Sequence, residues 1–226
     1  MIDRAAFERD GALRFERRLT LPEVEGLRAL ADDRIGSRPG VRLTDEPRLT
    51  ALLASHGAVG AVAASLTTPT ASPVRAVMFD KTPVSNWLVS WHQDRTITVR
   101  ERIEVEGFGP WSNKDGSLHV APPFDVLARM ITLRVHLDPV DEGNAPLRVA
   151  LGSHTLGRVA ADQAGPLAAG APQAVCLAEV GDIWAYRTPI LHASDRSLTP
   201  RRRRVLQVDY ADFDLPDGLV WQGLAS

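Results

Sequence analysis

In residues 131–138 apolar and polar side chains alternate without a break. Ile131, Leu133, Val135 and Leu137 fall on one side, and Thr132, Arg134, His136 and Asp138 on the other. A period of two is the mark of a β-strand with one apolar face. The run 203–210 repeats the pattern, with Arg204, Leu206, Val208 and Tyr210 opposite Arg203, Val205, Gln207 and Asp209. The polar faces either meet water or line a polar site inside a barrel, and alternation alone leaves both open. Six further short runs, "VRAVMFD", "WLVSWHQ", "RTITV", "PLRVAL", "QAVCL" and "DIWAY", are punctuated by Gly, Pro, Asn and Asp. Eight short strands after Pro69 suggest a sandwich or barrel.

The first third of the chain is punctuated differently. Thr20 with Glu23 three residues on has the spacing of a capping box, Pro22 is tolerated in a first helical turn, and Val24, Leu27 and Leu30 recur at helical spacing. A second helix is expected over residues 48–66. The pattern therefore predicts a mainly β fold with flanking α-helices, in one domain over 1–226. Residues 1–70 supply mostly helical support and 71–212 the barrel. Residues 101–124, with "GFGPWSNKDG" and "APPF", read as a lid-like excursion rather than a strand.

Composition narrows the class of partner. With 44% hydrophobic and 24% charged residues and a net charge of -2, the chain is an ordinary globular protein with no broad attraction to nucleic acid or anionic membranes. The single cysteine, Cys176, rules out an internal disulfide framework. The start of the chain is too charged for a secretory signal, and no apolar run is long enough to span a bilayer. The expectation is a cytoplasmic protein acting on a small molecule.

Candidate chemistry begins with "WHQD". Residues i and i+2 of a strand share a face, so His92 and Asp94 can present an imidazole nitrogen and a carboxylate oxygen to one point. His192, in "PILHASDRSLTPRRRR", follows a strand where the chain turns back and is the candidate third ligand. Two His and one carboxylate form the facial triad of non-haem Fe(II) oxygenases. The other histidines have bland readings: His56 on a helix surface, His154 hydrogen-bonded in the "GSH" turn, His119 and His136 as satisfied pocket residues. Arg203, eleven residues after His192, could aim a fixed fork of donors at a buried dicarboxylate, and Ser194 could add a hydroxyl. The alternatives for "RRRR" are a solvated strand start or a nucleic-acid patch; one short run without interleaved aromatics supports the latter poorly.

The order "WHQD" (91–94), "GNAPLRVALGSH" (143–154), "LHAS" (191–194) and "RRRRVLQVDY" (201–210) resembles the phytanoyl-CoA dioxygenase family of Fe(II)/2-oxoglutarate oxygenases. The resemblance covers roughly residues 74–210. It implies a double-stranded β-helix, a cupin-like jelly roll, with His92, Asp94 and His192 as iron ligands and with 2-oxoglutarate and O2 as cosubstrates. By the same carry-over Arg203 and Ser194 would hold the distal carboxylate of 2-oxoglutarate. Lys81, in "MFDKTP", matches a family lysine that can reach the cosubstrate, against the plainer reading of a surface lysine before a turn. Arg134 stands where some members have an aromatic residue, which makes it a second cosubstrate contact or a handle for a substrate carboxylate. Ala145 and Leu151 replace a usual glycine and proline, both in a turn.

The resemblance implies hydroxylation of an unactivated C–H in a small polar or anionic metabolite, with release of succinate and CO2. Asp94 argues against halogenation, which needs a small residue there. Trp87, Trp91, Phe79, Phe108, Trp111 and His119 are candidate pocket residues, and Trp111, His119 and His136 candidate substrate contacts. Two other readings stay open: a cupin-like isomerase or hydrolase using its metal as a Lewis acid without 2-oxoglutarate, and a non-catalytic ligand-binding barrel.

Overall fold

The computed structural model describes residues 2–224. Helix α1 (Arg4–Asp10) leads to strand β1 (Ala12–Phe15). Helix α2 (Leu21–Ile35), strand β2 (Gly40–Leu43) and helices α3 (Pro47–Leu53) and α4 (Gly60–Leu66) precede the long strand β3 (Ser72–Lys81). There follow β4 (Val89–His92), β5 (Ile97–Val99), β6 (Trp111–Lys114), β7 (Ser117–Val120), α5 (Phe124–Arg129) and β8 (Ile131–His136). The rest comprises β9 (Leu147–Ala150), α6 (Ala164–Gly170), β10 (Gln173–Cys176), β11 (Ile183–Arg187), β12 (His192–Ser194) and β13 (Arg203–Ala211).

A six-stranded sheet, ordered β1-β11-β8-β13-β3-β2, and a four-stranded sheet, ordered β10-β9-β12-β4, both contribute side chains to one cavity and so face each other across it. Every pairing within them is antiparallel. Helices α2, α3 and α4 cover the outer face of the larger sheet. Val24, Leu27 and Leu30 of α2 and Leu49 and Leu53 of α3 pack in one core with Met78, Leu133, Val135, Leu206 and Val208. The apolar faces of β8 and β13 are thereby buried outward against the helices. Their polar faces do not meet water: Thr132, Arg134, His136, Arg203, Gln207 and Asp209 are all buried on the inner side. The register places Thr132 opposite Asp209, Arg134 opposite Gln207 and His136 opposite Val205.

Two sequence expectations are corrected. The helix expected over 48–66 is two helices, because the chain folds back on the end of α3. A Cβ on Gly57 would lie 2.1 Å from the Ala51 carbonyl oxygen, and one on Gly60 2.0 Å from that of Ala54. Only glycine permits that approach. The excursion over 101–124 contains a hairpin, β6–β7, which β5 extends to a three-stranded sheet. Asp115 and Gly116 form its turn, both with positive φ, the conformation that matches the twist of the strands. The capping box at Thr20 is present: its backbone N–H and its Oγ1 each donate to Glu23 Oε2, both at 2.7 Å.

A buried carboxylate ties the start of the chain to the larger sheet. Asp182, at the head of β11, accepts from Arg14 Nη2 (2.6 Å), Arg14 Nε (3.0 Å), Arg17 N (2.7 Å) and Glu179 N (2.8 Å). Asp182→Ala would leave those donors without their acceptor, so urea unfolding is expected to show a loss of about 3 kcal/mol. A loss under about 1 kcal/mol would place this cluster among ion pairs of little worth.

Candidate metal centre

Strand β12 lies between β9 and β4, and its register sets His192 directly opposite His92. Antiparallel pairing thus joins two residues a hundred positions apart in sequence, with ring centroids 4.2 Å from each other. Asp94 follows β4 by two residues on the same side. Ligand atoms of His92, Asp94 and His192 all lie within 4.8 Å of one another.

The orientation of each donor is fixed from behind. His92 Nδ1 lies 2.8 Å from Ser90 O and His192 Nδ1 3.0 Å from Ile190 O. A carbonyl accepts only, so Nδ1 carries the hydrogen in both rings and each Nε2 keeps a lone pair for a metal. Burial draws the His192 imidazole down to about 4, against the pull of Asp94, which keeps that ring neutral. Asp94 Oδ2 is buried without a hydrogen-bond partner and lies 3.5 Å from Arg75 Nη2. Burial opposes ionisation of Asp94, but the neighbouring Arg75 guanidinium leads the effects that outweigh it, and the carboxyl is held below the usual carboxylate range. Two neutral imidazole lone pairs and one orphaned carboxylate oxygen converging on a point are the donor set of an Fe(II) facial triad, so the residues fit that metal.

Two positioning residues were not singled out in the sequence. Gln93, between the ligands, points to the opposite side. It donates through Nε2 to Gly157 O and Pro189 O, both at 2.9 Å, and accepts from Val159 N at 2.9 Å. With its side chain saturated, the backbone that carries His92 and Asp94 is fixed. Arg75 Nε forms a 2.6 Å ion pair with Asp209 Oδ2 while its Nη2 faces Asp94. Thr132 Oγ1 donates to Asp209 Oδ1 at 2.9 Å, completing the support. Strand alternation offered a signal for Arg75, which shares the inward face of β3 with Val77, Phe79 and Lys81.

The centre opens into a cavity of about 680 Å³ lined by residues of both sheets, the β2 edge and the hairpin. Arg203 and Arg134 stand on its wall, 4% and 7% exposed, and neither has a carboxylate partner among the described residues. Arg203 Nη1 donates to Ala145 O and Arg134 Nη1 to Gln207 Oε1 (2.7 Å), while both Nε atoms are buried and unpartnered. Burial, and then the like charge of Arg134, pull the Arg203 guanidinium down to about 9, as expected of a cation without a counter-ion. Ser194 also lines the cavity and donates to Ala145 O at 3.0 Å.

Other candidates fall differently. Lys81 is fully buried but does not line the cavity. Its Nζ donates to Trp87 O (2.8 Å), Asp195 O (2.7 Å) and Ser194 Oγ (3.5 Å), so its three hydrogens tie the two loops that flank Ser194. Burial, then Arg203 and Arg134, lower its ammonium to about 7. His136 is buried beside the Arg134 face with both ring nitrogens unpartnered, and it too lies outside the cavity lining. His119, Phe79 and Trp87 line the cavity. Trp111 and Phe108 do not: both pack in a separate apolar cluster with Val120 and Leu127. Trp91 packs against the α6 side, under Arg148.

A match to the phytanoyl-CoA dioxygenase family (PhyH) runs over residues 7–205. The chain belongs to that family. It is thereby an enzyme of the Fe(II)/2-oxoglutarate-dependent class, with O2 as its oxidant. No curated protein sequence matches it. Among solved structures it is similar to the epimerase SnoN of nogalamycin biosynthesis in complex with Fe3+, alpha ketoglutarate and nogalamycin RO. The identity is 18%, over 92% of this chain and 82% of that one, with a TM-score of 0.69. It is similar to apo EctD from S. alaskensis (16% identity, 99% and 80% covered, TM-score 0.68). It is similar also to HygX from Streptomyces hygroscopicus with nickel and 2-oxoglutarate bound (16%, 93% and 87%, TM-score 0.62). What the PhyH-family chain shares with all three is the cupin-like jelly roll.

Proposed function

We propose that this PhyH-family enzyme hydroxylates an unactivated C–H of a small polar or anionic metabolite, with release of succinate and CO2. The observation that carries the reading is the pair of buried guanidiniums without counter-ions, Arg134 and Arg203, on the wall of the cavity that holds the triad. An isomerase or hydrolase using a Lewis-acid metal has no need of them; a dicarboxylate cosubstrate supplies the charge they lack. His92 Nε2, His192 Nε2 and an Asp94 oxygen would hold Fe(II). When bound, Fe(II) and 2-oxoglutarate together activate O2 and so provide the oxidising power. Arg203 and Ser194 would receive the distal carboxylate, and Arg134 would lie alongside as the second cation. Lys81 acts one step back, fixing Ser194 and its loop. Arg75 and Gln93 hold Asp94 and His92 in place.

The cations left over support an anionic substrate. Beyond the cosubstrate pocket the cavity wall also carries Arg42, Arg95 and Lys114, against Asp115. No helix among the described residues is long and apolar enough to cross a membrane; we place the enzyme in the cytoplasm, where its cosubstrate is a common metabolite. SnoN is an epimerase, so an outcome other than hydroxylation is the alternative within the same class.

The test is an anaerobic titration of metal-free protein with Fe(II) and then 2-oxoglutarate. A weak visible charge-transfer band that saturates at one equivalent is the expected result. Iron binding without the band would favour the Lewis-acid reading, and failure to bind iron would leave a ligand-binding barrel.

A further inference from the structure

The cavity holds a polar group that neither the metal triad nor the cosubstrate pocket uses. His119, on β7 of the hairpin, lines it and is 1% exposed. Its Nδ1 lies 3.0 Å from Ser117 O, so Nδ1 carries the hydrogen. Burial lowers the affinity of the ring for a second proton; the Ser117 carbonyl opposes this, and the charges of Arg42, Arg75 and Lys114 add to it. A neutral ring protonated at Nδ1 leaves Nε2 as a bare acceptor, and Nε2 is buried with no partner among the described residues. An unpartnered acceptor on a residue that lines the cavity is matched by a donor on what fills the cavity.

The surrounding charge selects which donor. Arg42 and Arg75 are each paired with a carboxylate, but Lys114 has none among the described residues, so an ammonium beside His119 would meet an unpaired like charge, whereas a hydroxyl offers its hydrogen without a positive charge. Arg42 pairs through Nη1 with Asp115 of the hairpin turn and keeps one donor, its buried Nε–H, without a partner. We propose that His119 is a specificity-determining residue, accepting a hydrogen bond from a hydroxyl already present on an anionic substrate whose charge meets Arg42 and Lys114. The inference rests on the reading of the chain as an oxygenase of a small anionic metabolite and narrows it to hydroxylated anions. A site built around a buried acceptor discriminates against the analogue that lacks the donor, because the acceptor is then stranded.

Matched anion pairs test this without knowledge of the natural substrate. Holoenzyme loaded anaerobically with Fe(II) and saturated with 2-oxoglutarate is titrated, by ligand-observed NMR, with 3-hydroxybutyrate against butyrate and 4-hydroxyphenylacetate against phenylacetate. The hydroxylated member of each pair is expected to bind about tenfold tighter. His119→Phe, which fills the space without an acceptor, should abolish the preference, and His119→Gln, which restores an acceptor oxygen, should return part of it. Equal affinities in the wild type, no binding of any member, or a preference that survives in His119→Phe overturns the proposal. So does a nitrogen-15 spectrum of the free enzyme with the His119 hydrogen on Nε2. The 2-oxoglutarate band in the same samples separates the two failures: without it the oxygenase reading falls and takes the proposal with it, and with it a missing preference condemns the role of His119 alone.

Discussion

Arg203→Ala is expected to weaken 2-oxoglutarate binding by about two orders of magnitude while leaving Fe(II) binding intact. The estimate takes about 3 kcal/mol for the loss of one partner of a buried charge-assisted pair, at 1.4 kcal/mol per tenfold. The second expectation has the opposite sign. Without cosubstrate, Arg203 is a buried cation facing a like charge on Arg134, with no carboxylate paired to either among the described residues. Its removal relieves that repulsion, so the metal-free, ligand-free variant should melt no lower than the wild type. The melting-temperature rise that saturating 2-oxoglutarate gives the wild type should vanish. Arg203→Lys keeps a charge but loses the fork, and should fall between the two. Unchanged 2-oxoglutarate affinity in Arg203→Ala would remove the guanidinium from the cosubstrate site and return the Lewis-acid reading to first place.

In the sequence Arg203 was a candidate by its place eleven residues after His192 and by the family resemblance, to which period-two alternation added only a face. Alternation sorted β8 and β13 into two faces correctly, but it could not say that both faces are buried. That depends on helices packing one side and a second sheet closing the other, and neither event is local. The same limit hid Arg75 and Gln93. Each sits on a face that alternation assigns, yet its role depends on Asp209, Gly157 and Pro189, which only the closed barrel brings near. Lys81 shows the same limit at another position. Its family match points to the cosubstrate, but its three hydrogens are engaged by the loops on either side of the pocket.

Short edge elements were the other loss. β1 and β2 have four residues each and stand beside helices, too brief for periodicity to register. The β6–β7 hairpin did carry a signal, Asp115-Gly116 between two four-residue runs, but the surrounding Gly and Pro residues masked it. The candidate metal triad was legible because one strand offers two potential ligands at i and i+2. His192 was legible only as a candidate until the β12–β4 register set it opposite His92.

Asp94→Ala should lower Fe(II) affinity by at least a hundredfold and abolish succinate release. The carboxylate is the only anionic member of the triad, and its removal leaves two neutral imidazoles beside the positive Arg75. The deletion also tests whether the loss is chemical or structural. Arg75 keeps its 2.6 Å ion pair with Asp209, and Gln93 keeps its three hydrogen bonds, so the scaffold that carries the site does not depend on Asp94. The circular dichroism spectrum of the metal-free variant should therefore match that of the wild type, and its melting temperature should no longer rise when Fe(II) is added. Asp94→Asn separates charge from shape: the amide fills the same space, and its oxygen is a weaker, neutral donor, so iron should bind between the alanine and wild-type levels. One equivalent of iron retained by Asp94→Ala at wild-type affinity, with normal succinate release, would exclude Asp94 from the metal's coordination. The pairing of His92 with His192 would then have to find its third donor elsewhere in the cavity.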